Sequence, residues 1–212
     1  MNESREARVP LLFLVSDTGG GHRRAAVAVA GALEEMWPGR FAPLLHDPLM
    51  GEGAPWVVRR GAALYGPLTR LAPWVWGALY RASDSPRRVR ALWRTVLAGV
   101  SHDIQKAMAH HRAAIVVSFH PLLTGPAVQV ARATSPPTAV ATVVTDLVRV
   151  HSAWLGGVPQ LVAAPSGTAA SHFSRTRCVE TGLPVPAEWR RVVSAGQRTA
   201  LRLIGGCTRA RS

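Results

Sequence analysis

Lysine is almost missing from this chain. Lys106 is the single lysine among 25 basic residues, and all the others are arginine. Acidic residues are also scarce, at 12 in 212, so the formal net charge is +13. An arginine bias can come from genome composition as easily as from function. A basic surface still favours polyanionic partners: nucleic acid, an anionic membrane face or phosphorylated substrates. Cysteine is rare as well. Cys178 and Cys207 form neither a metal-type nor a redox-type pair, so no disulfide framework is expected and a reducing cytosol is the default. The histidines, the His110–His111 pair included, lack the spacing of a His-Glu-x-x-His helix, and no metal is expected. No apolar run reaches the roughly 20 residues of a spanning helix. Met1 to Pro10 is charged and mixed, unlike a signal peptide.

What is present is an alternation of strands and helices. Hydrophobic residues make up 48% of the chain, enough for a real core. Val9 to Val15 is apolar on both faces and reads as a buried strand. A glycine turn follows at Gly19 to Gly21. Ala25, Val29, Leu33 and Met36 then recur at helical spacing, and Pro38-Gly39 stops the helix. Phe41 to Leu45 is a second strand. From Ala113 the alternation resumes, with strands at Ile115 to Ser118, Thr138 to Thr145, Leu161 to Ala164 and Cys178 to Thr181. Helices are expected at Leu122 to Ala133 and Ser166 to Phe173. This order predicts an α/β fold, a Rossmann-like parallel sheet with helices on both faces. Residues 1–186 form the expected domain, and 187–212 a basic tail.

Residues 51–110 differ in kind. Gly51 to Ser83 carries Trp56, Tyr65, Trp74, Trp76 and Tyr80 beside Arg59, Arg60, Arg70 and Arg81. No acid lies between Glu52 and Asp84, and Pro55, Pro67 and Pro73 are expected to break the stretch into short pieces. Tryptophan with arginine suits a membrane interface, where rings sit at headgroup depth and guanidinium groups meet anionic lipid. The competing reading places about half of these tryptophans in the core. Arg87 to His110 is expected to be one long amphipathic helix. Val89, Leu92, Trp93, Val96, Val100 and Ile104 share one face, and Arg87, Arg90 and Arg94 share a solvated one.

The junction Ser16-Asp17-Thr18-Gly19-Gly20-Gly21-His22 carries the most chemistry. Three glycines let the backbone approach a ligand closely. The helix that follows offers free N–H groups and the positive end of its dipole, a natural diphosphate seat. The glycine spacing is not that of a dinucleotide fingerprint, and no lysine follows as in a Walker loop. A merely tight strand-to-helix turn is the bland alternative. Asp17 and His22 weigh against it, because both project at the carboxyl end of a first strand, where open α/β sheets bind ligands.

Leu14 to Ala26 resembles the opening motif of the monogalactosyldiacylglycerol synthase family, which includes bacterial processive diacylglycerol glucosyltransferases. That family is related to the enzyme that adds N-acetylglucosamine to the lipid-linked peptidoglycan precursor. Ser118-Phe119-His120-Pro121 is a second match, and Thr142-Val143-Val144-Thr145-Asp146, followed by His151 and Trp154, is a third. Thr181-Gly182-Leu183-Pro184-Val185 is a fourth. The likeness runs from Val9 to Trp189. It implies the N-terminal half of a glycosyltransferase B fold, with inverting transfer of a hexose from a nucleotide sugar to diacylglycerol. The donor, UDP-linked by this resemblance, is a co-substrate, and no cofactor is implied. His22 is the first candidate for the base, with Asp17 and Asp146 as rivals. Gly19, Gly20 and Gly21 would meet the diphosphate. His120, His151 and Trp154 would border the acceptor, and Trp56, Trp74, Trp76, Arg59 and Arg60 the membrane. His151 reads equally well as an ordinary surface histidine.

The implied partners are a diacylglycerol-like lipid, an anionic membrane surface and a separate donor-domain chain. The implied place is the inner face of the cell membrane, as a peripheral cytoplasmic protein. Only 27 residues follow Val185 (212 − 185). A βαβ unit needs about 30, so the chain alone is expected to be incomplete and inactive. A non-catalytic module binding anionic membranes is the alternative. Nucleic acid is not an expected partner, since no recognised motif for it is present.

Overall fold

The structure is a computed structural model and describes residues 8–17, 21–95 and 97–190. Gly19, Gly20 and the tail from 191 onward therefore lie outside the described residues. Six strands form one sheet: β1 (Val9–Leu14), β2 (Phe41–His46), β3 (Ile115–Ser118), β4 (Ala139–Val143), β5 (Leu161–Ala164) and β6 (Cys178–Glu180). All neighbours are parallel, in the order β2-β1-β3-β4-β5-β6.

The unbroken apolar run of β1 is explained by cover on both faces. Leu11, Phe13 and Val15 point to one side and pack with Ala25, Ala26, Val29 and Leu33 of α1 (Gly21–Met36). Leu12 and Leu14 point to the other side. There they meet α5 (Ala98–His110) through Val100, Ile104 and Met108, and α6 (Pro121–Arg132) through Leu123 and Ala127. Each fully buried side chain of this size contributes about 1.5–3 kcal/mol. A third cluster, with Trp154, Phe173 and Ala169 of the short α7 (Gly167–Ala170), covers Val162 and Ala164 of β5. Gly39, at φ 71°, turns the chain from α1 into β2.

Two expectations for residues 51–110 are corrected. Pro67 does not break its segment: it sits inside the 16-residue helix α2 (Trp56–Leu71). Pro67 and Ala63, whose carbonyl it leaves without a helical N–H, are both exposed, so water can take that carbonyl. Pro55 caps α2, and Pro73 opens α3 (Pro73–Ser83), where its missing N–H costs nothing. The single helix expected over Arg87 to His110 is two, α4 (Pro86–Thr95) and α5. The Leu97 N–H reaches back five residues to the Leu92 carbonyl, at 3.0 Å, which turns Leu97 into the core at 1% exposure. The same break sets Gly99 so close to the backbone of Gly53 that a Cβ there would strike the Gly53 carbonyl. Val89, Val100 and Ile104 are buried and Arg87, Arg90 and Arg94 exposed, as the apolar spacing predicts. The helix expected at Ser166 to Phe173 is also shorter, just α7, though Phe173 is buried.

Candidate functional site

From β1 the chain steps outward to β2, then returns to the opposite side of β1 as β3. The crevice beyond the carboxyl ends of β1 and β3 is therefore the switch point where open parallel sheets bind ligands. His22 stands there, in the first turn of α1. Its ring meets that of His120, which follows β3, with centroids 4.6 Å apart and planes at 71°. Its Nδ1 lies 3.0 Å from Thr145 Oγ1, just past β4. Trp154, 1% exposed, stands behind it at 6.1 Å between ring centroids.

Burial lowers the His22 pKa, against the charge of Asp146 and a backbone hydrogen bond with Phe119, which raise it. The positive end of α1 also disfavours a second proton on the ring. His120 is held well below the usual histidine range, first by burial and then by His22. Its Nδ1 accepts the Leu122 N–H at 3.3 Å and caps α6. Both rings are therefore neutral at pH 7. A neutral imidazole has a lone pair for a proton, and Asp146 stabilises the cation that results. Thr145 belongs to the third motif, but its spacing gave it no role.

A second layer supports this crevice. The Asp146 carboxylate accepts the His151 N–H at 3.2 Å. The His151 Nδ1 accepts the Ala153 N–H at 3.1 Å and caps a 3-10 helix at Ser152–Leu155. Its Nε2 lies 3.3 Å from Ser83 Oγ. That hydroxyl points its own hydrogen at the carbonyls of Leu79 and Tyr80, 2.9 and 3.1 Å away, so Nε2 is the donor. With both nitrogens used and 7% exposure, His151 is not a surface histidine. Tyr80 stacks edge-on against it at 4.6 Å. The Tyr80 phenol is pushed up to about 12 by burial, then by Asp146 and Asp84, with Arg149 opposing.

Asp17 is set apart from this group. Its side chain is 60% exposed and faces Arg23 at 3.6 Å, while its N–H donates to Asp47 Oδ2 at 3.0 Å. Gly21 opens α1, and among the described residues nothing lies within 4 Å of where a Cβ would stand. The residues expected at the acceptor or membrane divide in two. His120, His151 and Trp154 are buried inside the domain, where a bilayer cannot touch them. Trp56, Trp74, Arg59 and Arg60 are exposed on α2 and α3, helices without a fully buried residue. Trp76 is half-buried against Tyr65, at 4.7 Å between centroids. The reading that puts half of this segment's tryptophans in the core is therefore corrected. Asp47 and Ser83 were given no role from the sequence, Tyr80 was read only with the membrane-facing aromatics, and Asp84 only as the end of an acid-free stretch. The one available clue was the position of Asp84, a lone acid after a stretch of arginines. Among the described residues no cluster of histidine, cysteine and acidic side chains could hold a metal ion, and no helix is long and apolar enough to cross a membrane.

The sequence profile of monogalactosyldiacylglycerol (MGDG) synthase matches residues 22–184, beginning at His22 itself. The chloroplastic monogalactosyldiacylglycerol synthase of Spinacia oleracea is 26% identical over 191 residues, which cover 86% of this chain and 36% of that protein. Monogalactosyldiacylglycerol synthase 1 of Arabidopsis thaliana is 27% identical over 184 residues, 82% of this chain and 34% of the relative. Among solved structures, MurG of Acinetobacter baumannii aligns with a TM-score of 0.45 at 14% identity, over 88% of this chain and 47% of that one. The chain thus spans about a third of the length of the curated relatives it matches. With the profile match covering most of its length, the chain belongs to the monogalactosyldiacylglycerol synthase family.

Proposed function

We propose that this chain is the acceptor-side half of an inverting glycosyltransferase that moves a hexose from a UDP-sugar to diacylglycerol at a membrane surface. The observation that carries the reading is His22 set against His120 and Thr145 at the switch point, within the field of Asp146, in a chain of this family. His22 takes the proton of the lipid hydroxyl as its oxygen attacks the anomeric carbon. The bond from that carbon to the UDP oxygen breaks, and the diphosphate leaves with its electrons. Free N–H groups at the start of α1, with Gly19, Gly20 and Gly21, would receive that diphosphate. The remaining groups that hold nucleotide and sugar would come from a glycosyltransferase B donor half, on this chain's partner or its continuation. The domain is read as residues 1–186, with 187–212 a basic tail.

Docking falls to α2 and α3. Trp56, Leu71 and Trp74 are 71%, 85% and 77% exposed, beside Arg59 and Arg60. Apolar rings at headgroup depth with arginines against anionic lipid would hold the protein as a peripheral one, on the cytoplasmic side. The test is transfer of radiolabelled hexose from UDP-galactose or UDP-glucose to diacylglycerol vesicles. It is run with the chain, and with the chain fused in frame to the C-terminal part of the Spinacia oleracea relative. Glycolipid from the fusion, reduced about a hundredfold or more by His22→Ala, supports the reading. Vesicle binding without any His22-dependent glycolipid would favour a non-catalytic membrane module instead.

A further inference from the structure

Asp84 is the only carboxylate between Glu52 and Asp103, and it stands where α3 ends. Its side chain is 13% exposed and fully engaged. Oδ1 accepts the Ser152 N–H at 2.8 Å and the Ser152 hydroxyl at 2.6 Å. Oδ2 accepts Arg149 Nη2 at 3.0 Å. One carboxylate thus grips both ends of a four-residue loop, and His151 lies within it. The same turn of α3 supplies Ser83 to His151 Nε2 and Tyr80 to the His151 ring. The loop is also held by the bond from the His151 N–H to Asp146. Asp146 directly follows Thr145, whose hydroxyl lies 3.0 Å from His22 Nδ1, and its charge acts on His22.

We infer that Asp84 is a positioning residue: by clamping Arg149 and Ser152 it fixes Asp146, the residue after the His22 partner Thr145, and ties helix α3 to the site. The geometry makes the tie short. Asp84 bonds directly to the residues on either side of Val150-His151, and His151 bonds directly to Asp146. Carboxylate acceptance from an N–H, a hydroxyl and a guanidinium is charge-assisted and directional, so it holds the loop more firmly than apolar contact would. Other charged groups near His22 do not share the task. His120 is neutral and caps α6, and Asp17 faces Arg23. A consequence follows for the exposed helices. Whatever seats α2 and α3 acts on an element bonded to the loop that positions Asp146.

This inference rests on the proposed His22–Asp146 pairing, but its test needs no turnover. It therefore fails or stands separately from the glycosyl-transfer reading. The ring protons of His22 are followed by NMR across pH in the full chain, with assignment by His22→Gln. In Asp84→Ala the loop loosens, Asp146 drifts from His22, and the His22 midpoint falls by about half a unit or more. Asp84→Asn also loses the charge but keeps an oxygen for Ser152, so its His22 midpoint lies closer to that of the unaltered protein. Ser152→Ala removes the 2.6 Å bond, leaves every charge in place, and gives a smaller fall in the same direction; it serves if Asp84→Ala does not fold. Equal shifts in Asp84→Ala and Asp84→Asn would mean a field effect alone and overturn the inference. So would an unmoved His22 in Asp84→Ala, or in Ser152→Ala where that variant stands in.

Discussion

Trp93 shows how single residues hold the site's frame. Its indole Nε1 donates to the Leu122 carbonyl at 3.1 Å, and its ring lies against Gly125 of α6 and Gly156 beyond the 3-10 helix. A Cβ at Gly156 would overlap that ring, so the ring or the backbone would have to shift. Gly156→Ala is therefore expected to cost about 3 kcal/mol, at the upper end for overpacking a tight interior. Gly61 is the control: it is exposed in the middle of α2, and an added methyl group would meet nothing within 4 Å. Gly61→Ala should stabilise by about 0.5–1 kcal/mol, by narrowing the unfolded chain's freedom. Urea melts of the two variants check both signs, and equal effects would show that the wedge is absent. The sequence makes Trp93 an inward-facing helix residue, and it is. Its opposing glycines are 32 and 63 residues away (125 − 93, 156 − 93), and no local pattern announces such a fit.

Among the elements, the strands were the most legible. The β1 run, the β-branched β4 and the short β3 and β5 all appear where alternation and apolar runs put them. His22, His120 and Asp146 were legible as parts of motifs, since each follows a strand end. The loop contacts of Tyr80, Ser83 and Asp84 were not, because they depend on where α3 packs, and periodicity carries no distance. The break between α4 and α5 was hidden for a related reason: Leu97 gains its buried place only through the packing of the whole layer. Helices α2 and α3 yield the prediction at this scale. Trp56→Ala and Trp74→Ala should each weaken binding to phosphatidylglycerol vesicles severalfold, because those indoles are free to enter a bilayer. Trp76→Ala should instead loosen the helix pair by removing the Tyr65 contact. Salt should weaken the arginine contribution. Co-sedimentation with neutral and anionic vesicles measures this; equal, salt-independent binding to both, or no loss in the Trp56 and Trp74 variants, would refute the docking face.

For the whole molecule, the buried histidines and Asp84 set the response to acid. His22 and His120 have folded pKa values below 6.5, mainly through burial, and His120 is the more strongly shifted. The unfolded chain therefore binds protons that the folded one refuses, and stability falls as pH drops below about 6.5. Asp84 acts lower on the scale. Burial works against its charge, but hydrogen bonds from Ser152 and Arg149 and the field of His151 prevail, and its pKa drops from 3.8 to about 2. A depressed carboxylate stabilises the fold above its unfolded pKa, so its contribution is present above 3.8 and is lost as pH falls toward about 2. Asp47 opposes this second step, because burial raises its pKa despite backbone hydrogen bonds that lower it, and the folded state then holds its proton more tightly. The decline should come in two stages, one beginning near pH 6.5 and one below pH 4, where Asp47 softens the slope. Melting temperatures from pH 8 to pH 2 at constant ionic strength measure both. His120→Asn keeps a side-chain oxygen to accept the Leu122 N–H but cannot take a proton, so it should flatten the first stage and leave the second. Asp84→Asn should flatten the second and leave the first. A melting temperature unchanged between pH 7.5 and pH 5 in the unaltered protein would show that these two rings bind protons as readily in the folded chain as in the unfolded one. The proposed proton abstraction by His22 would then lose the support of a ring kept neutral by burial.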